Sequence, residues 1–241
     1  MLTLLLTRHG LADAGEVMLG AHLDLPLTPE GRAQARALGR RLAGLGMDRV
    51  LSSPLKRALE TARLVVGRQP VETDARLVEL DYGAWEGLTY AQIEERDPDL
   101  RARWEADPAG VRPPGGETAA EVAERCQSLL ADLVAGAAEA SERLGRPQRV
   151  LISAHGSLNR ILLSVALDLP PSDYRRRVTQ DRANLTVLHY GPGAEVAQAR
   201  IIVLNDVSHL RRPGEPPWAP TFEGIAGSDA HRAWHDPSGR G

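Results

Sequence analysis

The sequence predicts an α/β fold, a sheet carrying helices on both faces, from three observations. Residues 2–7 are an apolar run with no polar alternation, as in a strand buried on both faces of a parallel sheet, and residues 149–154 read as a second strong strand. Capped, amphipathic helical segments stand between the strand-like runs, so strands and helices alternate along the chain. Breaker-rich stretches such as residues 107–117 separate these segments and mark the loops.

Taken in order, residues 2–7 form the first strand. Thr28 caps a helix with Pro29 in its first turn, and Gly44 and Gly46 end it after residue 43. Residues 49–51 form a short strand, and Pro54 opens a second helix reaching residue 66. Residues 71–73 are too short to assign, and residues 79–88, with Gly83 and Gly87, read as loop. Thr89 caps a short helix through Arg96. Pro108, Pro113 and Pro114 make residues 107–117 a loop. Thr118 and Glu121 form a capping box before a long helix ending near Leu144. Its apolar stripe is Ala119, Val122, Cys126, Leu129, Leu133 and Ala137. Residues 149–154 form the second strong strand and residues 158–167 the next helix. Residues 185–189 and 196–203 read as strands around a hairpin turn at Gly191 and Gly193.

From Arg211 the chain changes character: Pro213, Pro216, Pro217 and Pro220 accompany Trp218, Phe222 and Trp234. The expected organisation is a domain over residues 1–210 and a Pro-rich extension over residues 211–241. That extension is either disordered or packs its aromatics on the domain or on a partner subunit, which leaves room for a homodimer.

Composition narrows the function classes. The chain has 241 residues, 42% hydrophobic and 25% charged, which argues against global disorder and a fibrous repeat. Lys+Arg 29 against Asp+Glu 32 leaves a net charge of -3, so nothing points to nucleic acid or to a membrane surface. Any anion site must be built locally. The lone Cys126 excludes an internal disulfide framework and a multi-thiolate metal site; within its apolar stripe it reads as a buried, inert thiol. The N-terminal apolar run has no positive leader and ends at Arg8 and His9, and no other stretch is long enough to span a bilayer. A soluble, cytoplasmic protein is expected.

Two strands end alike: Leu4-Leu5-Leu6-Thr7-Arg8-His9-Gly10 and Val150-Leu151-Ile152-Ser153-Ala154-His155-Gly156. In open α/β sheets the ligand crevice lies at the carboxyl ends of the strands. As neighbours about 4.8 Å apart, these strands bring both imidazoles to one small volume. A lone histidine at a strand end is a satisfied polar residue; two in matching context point to a site. Arg8 adds a positive charge beside His9, and Arg57 falls in the first turn of the helix opened by Pro54, where free N–H groups also favour anions. Two guanidiniums and two imidazoles suit a doubly charged tetrahedral anion, because guanidinium binds phosphate oxygens in a bidentate way.

These residues resemble the histidine phosphatase superfamily, also called phosphoglycerate mutase-like. The resemblance rests on Thr7-Arg8-His9-Gly10, on Ser53-Pro54-Leu55-Lys56-Arg57-Ala58 with Glu60-Thr61-Ala62, and on Leu77-Val78-Glu79 with Gly83-Ala84-Trp85-Glu86-Gly87. Ala154-His155-Gly156 completes it, and Leu204-Asn205-Asp206 with Ser208-His209-Leu210 fits the phosphatase branch. It covers residues 1–210 and implies a three-layer α/β/α sandwich with a mostly parallel central sheet.

The resemblance also implies roles. His9 matches the nucleophile that forms a phosphohistidine, and Arg8, Arg57 and His155 match the residues holding the phosphate oxygens, with Gly156 beside them. Glu79 matches the position of the group that protonates the leaving oxygen; from the residues alone Asp81 and Glu86 are almost as eligible. Neither metal nor cofactor is implied, since arginines supply the positive charge. Leu11 and Ala12 stand where many members carry Glu followed by Ser or Thr, and Gly20 lies near a frequent substrate-contacting glutamine. His22 or another loop residue is the expected substitute, and Trp85 either walls the substrate pocket or anchors the packing of its loop.

The implied function is a phosphomonoesterase acting on a small phosphorylated metabolite of the sugar phosphate, glycosyl-3-phosphoglycerate or α-ribazole phosphate type. The alternatives are a bisphosphoglycerate-dependent phosphoglycerate mutase and a non-catalytic module binding phosphorylated ligands. The family's mutases carry a longer insertion between acid and second histidine than the 76 positions from Glu79 to His155. Four histidines have plainer readings: His189 as structural, His209 as a brace, and His231 with His235 as an i, i+4 pair without a third metal ligand. Arg112, Gly115 and Gly116 lie in a loop that either covers the pocket or is simply solvated.

Overall fold

The structure is a computed structural model that describes residues 1–211. Its centre is β1 (Leu2–Arg8), whose apolar residues are buried on both faces. Leu2, Leu4 and Leu6 join one core cluster with Leu129 and Leu133 on the long helix, whereas Leu5 joins a second with Leu38, Ala62 and Val65. Successive strand side chains point to opposite faces, so a strand covered on both sides reads as an unbroken apolar run. Burying each such leucine contributes about 1.5–3 kcal/mol.

The helices that cover the first face are α5 (Ala119–Leu144) and α6 (Gly156–Ala166), and those on the second are α1 (Pro29–Arg41) and α2 (Lys56–Val66). Thr28 caps α1 by accepting the Gly31 N–H. Thr118 and Glu121 form the expected capping box of α5, and Gly145 ends that helix in the left-handed region at φ 63. Cys126 is fully buried in the α5 stripe, and burial pushes its thiol up to about 12, an inert state.

The remaining strands are β2 (Arg49–Ser52), β3 (Glu72–Thr73), β4 (Gln148–Ala154), β5 (Leu185–Tyr190) and β6 (Arg200–Asp206). They form a six-stranded sheet in the order β3-β2-β4-β1-β5-β6. Pairing is parallel from β3 through β1 and antiparallel at β5 and β6. The result is the expected three-layer arrangement with a mostly parallel sheet.

Several boundaries differ from the sequence reading. Leu55 is extended, so α2 starts at Lys56 rather than Pro54. The helix after β4 starts at Gly156 and makes His155 its N-cap. Residues Val196–Gln198 form a 3-10 turn, and β6 begins only at Arg200. After α3 (Tyr90–Arg96) come two helices the sequence did not show, α4 (Pro98–Ala106) and α7 (Tyr174–Arg177). Within α4 only Arg101 and Trp104 are buried, too few for an apolar stripe. The Pro-rich extension and the pair His231 and His235 lie outside the described residues. Among the described residues, no helix is long and apolar enough to cross a membrane.

Candidate active site

The parallel register pairs Arg8 with Ala154, and the His9 N–H donates to the Ala154 carbonyl at 2.9 Å. His9 and His155 therefore leave adjacent strand ends together. Their rings lie edge-to-face, 5.3 Å between centroids at 62°. His9 Nδ1 sits 2.7 Å from the Gly10 carbonyl. A carbonyl only accepts, so Nδ1 carries the proton and Nε2 holds the free lone pair. Burial, with Arg57 and Arg8 next in importance, holds the His9 pKa well below the ordinary value. Burial and Arg57 do the same for His155, whose two ring nitrogens make no hydrogen bond among the described residues.

Arg8 is fixed along its length. Its backbone N–H donates to Asn184 Oδ1 at 3.0 Å, its carbonyl accepts the Ala183 N–H at 2.9 Å, and Nη1 donates to the Gln180 carbonyl at 3.0 Å. Gly156 lies against it: a Cβ there would stand 3.2 Å from Arg8 Cζ. Burial, then the neighbouring Arg182 and Arg160, lower the Arg8 pKa to about 10. Arg57 is wholly buried and donates to the Leu23 and Gly20 carbonyls at 2.9 and 2.8 Å. These bonds draw the loop around residue 22 towards the phosphate-binding candidates. The Nε atoms of both arginines are enclosed without a partner among the described residues, which leaves donors for an anion.

Glu79 reaches this group from the loop after β3. Oε1 accepts the N–H groups of Leu80 and Leu158 at 2.9 and 2.8 Å, and Oε2 accepts Ser157 N–H at 3.1 Å. Two of these donors are free N–H groups of the first turn of α6. Asp81 and Glu86 have other work. Asp81 accepts from His22 Nε2 at 3.0 Å and from the Gly83 N–H at 2.7 Å. Glu86 Oε2 accepts the His22 and Leu23 N–H groups at 3.0 and 2.9 Å, and the Glu86 carboxylate occupies the space a Cβ at Gly20 would need.

His22 stands at the rim, with 75% of its side chain exposed, and its bond to Asp81 raises its pKa. Trp85 must be corrected. It is fully buried, donates from Nε1 to Asp97 at 2.8 Å and packs edge-on against Trp104 at 5.6 Å; it anchors its loop and walls no open pocket. The loop around Arg112 packs against residues 81–84 through Glu117 N–H to Asp81 O and Ala84 N–H to Pro114 O, both 2.8 Å. His189 meets Thr3 at 3.4 Å, and His209 Nε2 donates to the Ala183 carbonyl at 2.8 Å, a brace on the segment that holds Arg8.

Residues the sequence reading missed lie mostly in residues 180–186. Thr186 Oγ1 accepts from Gln180 Nε2, Asn184 Nδ2 and Asn205 N–H at 3.0, 3.3 and 3.0 Å. Asn205, in the left-handed region at φ 50, also binds Asp181 through its N–H and its carboxylate. No periodicity marks this loop; Asn205 alone lay within a quoted motif. A separate hollow of ≈ 230 Å³ lies at the other end of β1, lined by Met1, Val134 and Tyr190, and holds none of these groups.

Known proteins resemble this chain in sequence and in fold. A sequence profile of the histidine phosphatase superfamily (branch 1) matches residues 4–202. The glucosyl-3-phosphoglycerate phosphatase of Mycobacterium tuberculosis is 36% identical over 205 residues, 82% of this chain and 90% of that protein. The structure of a mycobacterial glucosyl-3-phosphoglycerate phosphatase with inorganic phosphate superposes with a TM-score of 0.76 at 33% identity, covering 88% of this chain and 100% of the other. The α-ribazole phosphatase of Shigella flexneri gives a TM-score of 0.73 at 27% identity, over 86% and 97% of the two chains.

Proposed function

Because this chain belongs to the histidine phosphatase superfamily, we propose that it hydrolyses phosphate monoesters in two steps on His9. The chain is a phosphatase of small phosphorylated metabolites; the roles of individual residues and the choice of substrate are our reading. One observation carries it: His9 and His155 are 5.3 Å apart, and the Nδ1 proton of His9 is committed to Gly10.

His9 Nε2 attacks phosphorus; the P–N bond forms as the ester P–O bond breaks, and Glu79 protonates the leaving oxygen. Water then attacks the phosphohistidine while Glu79 takes its proton. The P–N bond breaks, phosphate leaves, and the imidazole is neutral again. The non-bridging oxygens carry charge throughout, so positioning and electrostatics dominate. Arg8, Arg57 and His155 hold those oxygens, Gly156 lets the Arg8 guanidinium lie close, and His22 contacts the leaving portion at the rim.

The guanidiniums supply the charge that a metal would otherwise bring, so the reaction is metal-independent in this reading, and chelation leaves the rate unchanged. A lone buried cysteine fits a cytoplasmic enzyme. Among candidate substrates, a glycosyl-3-phosphoglycerate is favoured by the relative that is 36% identical.

The test is phosphate release from a panel of p-nitrophenyl phosphate, 3-phosphoglycerate, a glycosyl-3-phosphoglycerate and α-ribazole phosphate, with alkaline detergent quenching to trap a phosphoenzyme that survives base and is lost in acid. Release and trapping with the wild type and neither with His9→Ala is the expected result. Turnover by His9→Ala at the wild-type rate contradicts the assignment, and isomerisation of 3-phosphoglycerate without release moves the chain to the mutases.

A further inference from the structure

Glu86 is an acid that the reaction above does not use, yet a single residue, Leu23, joins its carboxylate to Arg57. Glu86 follows the 3-10 turn Gly83–Trp85, whose Trp85 ring is fully buried and bonded to Asp97. The backbone beyond it is tied as well: Gly87 N–H donates to the Met18 carbonyl at 3.0 Å, and Met18 N–H to the Leu88 carbonyl at 2.8 Å. The carboxylate is thus presented from a fixed support.

The segment it meets has no regular backbone pairing of its own, since residues 19–25 form neither helix nor strand. Glu86 Oε2 accepts the His22 and Leu23 N–H groups at 3.0 and 2.9 Å. Two carbonyls of the same segment accept from Arg57: Leu23 O from Nη1 at 2.9 Å and Gly20 O from Nη2 at 2.8 Å. Glu86 Oε1 is enclosed, makes no hydrogen bond among the described residues, and lies where a Cβ on Gly20 would stand. Glycine at position 20 therefore lets the segment close onto the carboxylate.

The two carbonyls grip both ends of the Arg57 fork. A guanidinium binds phosphate through a rigid planar array of donors, so the tilt of that plane decides how many of its remaining N–H groups reach one anion. We propose that Glu86 is a positioning residue for Arg57, setting the tilt of the guanidinium through the Gly20 and Leu23 carbonyls. The proposal rests on the reading of Arg57 as a phosphate-binding residue.

Charge and position make opposite predictions here. Glu86 lies within electrostatic reach of Arg57, whose pKa falls through burial while Glu79, Asp24 and Glu86 oppose the fall. By charge alone, removing a carboxylate beside an anion site tightens anion binding. As a positioning residue, its removal weakens binding.

The experiment measures the dissociation constant of inorganic phosphate by calorimetry. Glu86→Ala is expected to weaken it about tenfold, the scale of a hydrogen bond to a charged group. Glu86→Gln, which keeps an oxygen for the two N–H groups, restores most of the affinity. In an Arg57→Lys background, where charge remains but no fork needs orienting, Glu86→Ala costs less than about threefold, because the two residues act as one unit. Gly20→Ala displaces the same carboxylate from the other side and is expected to reproduce the weakening, which decides the matter where Glu86→Ala does not fold. Phosphate bound as tightly or more tightly by Glu86→Ala, an equal loss in the Arg57→Lys background, or unchanged affinity in Gly20→Ala overturns the positioning role and leaves the phosphatase reading standing. A wild type that binds phosphate without turning over p-nitrophenyl phosphate overturns the phosphatase reading alone, and a wild type that does not bind phosphate overturns both.

Discussion

Glu79 Oε2 accepts the backbone N–H of Ser157 at 3.1 Å, so the candidate acid is held by the first turn of the helix that His155 caps. The proposed acid and the proposed oxyanion-binding histidine thus share one rigid support, α6, although they lie on separate segments of chain. Oε1 already accepts two N–H groups and Oε2 only one, which leaves Oε2 as the oxygen able to exchange a proton with a leaving group.

Glu79→Gln therefore tests the acid without emptying its place. An alkyl phosphate is expected to lose about 10²–10⁴-fold in the phosphorylation step, the ordinary worth of general acid catalysis. p-Nitrophenyl phosphate, whose leaving group departs without a proton, loses far less. Rapid-quench measurement of phosphoenzyme formation on both substrates checks this, and equal losses would show that Glu79 only shapes the site.

The state of His9 is open to direct measurement. Burial, Arg57 and Arg8 hold its pKa well below 6.5, and Gly10 fixes the proton on Nδ1. Nitrogen-15 NMR at pH 6 is expected to show a neutral imidazole protonated on Nδ1, and a doubly protonated ring there contradicts the nucleophile assignment. The same shift has a consequence for stability. His155, like His9, has its folded pKa depressed below 6.5, so the unfolded chain binds protons first as pH falls. Stability present above 6.5 is lost as pH drops towards the folded values. Melting curves at pH 7.5 and 5.5 should show His155→Gln losing less Tm across that interval than the wild type.

His22 shifts the opposite way. Its hydrogen bond to Asp81 raises its pKa above 6.5, so its contribution is present below 6.5 and disappears as pH rises through the folded value. Because the side chain is 75% exposed, the effect on Tm is small, and titration is the better probe. Asp81→Asn is expected to return the His22 titration towards 6.5; an unchanged midpoint would mean that another group holds the proton.

The parts of this protein legible in its sequence are those written in local patterns. The unbroken run of β1 states double-sided burial, Thr118 and Glu121 state the start of α5, and the paired His-Gly endings state where two strands stop together. Arg57 was legible because helix starts favour anions. What stayed hidden depends on distant partners. α4 buries only two side chains and has no stripe to betray it. Trp85 sits in a loop beside the site, yet its ring faces Trp104 and Asp97, and sequence neighbourhood says nothing of that direction. Arg160 and Arg182 look like ordinary surface arginines until the fold brings each near enough to lower the Arg8 pKa.

A glycine pair offers a sharper test of packing than any leucine. A Cβ at Gly10 would press into the Gly31 carbonyl, and a Cβ at Gly31 would press into Leu11. Both obstacles are backbone, which cannot rotate away. Gly31→Ala is thus expected to destabilise by about 1–3 kcal/mol and to displace His9 through Leu11 and Gly10, lowering kcat on p-nitrophenyl phosphate. Gly136→Ala is the control on a helix: a Cβ there meets nothing within 4 Å, and denaturant unfolding should show it at least as stable as the wild type.

The firmest dependence of the site on a residue that never touches substrate runs through Thr186. It is fully buried, and its hydroxyl oxygen accepts from Gln180, Asn184 and Asn205 at once. The Gln180 carbonyl accepts from the Arg8 guanidinium, and Asn184 Oδ1 accepts from the Arg8 backbone N–H. Thr186→Val keeps shape and removes the acceptor, leaving buried donors unpaired at about 1–3 kcal/mol. Thr186→Ser keeps the acceptor and loses one methyl, about 1 kcal/mol. If the hydroxyl positions Arg8, the valine variant raises KM for p-nitrophenyl phosphate more than it lowers Tm would suggest, and serine restores KM while remaining less stable than the wild type. A KM that tracks Tm through both variants would reduce Thr186 to a core residue.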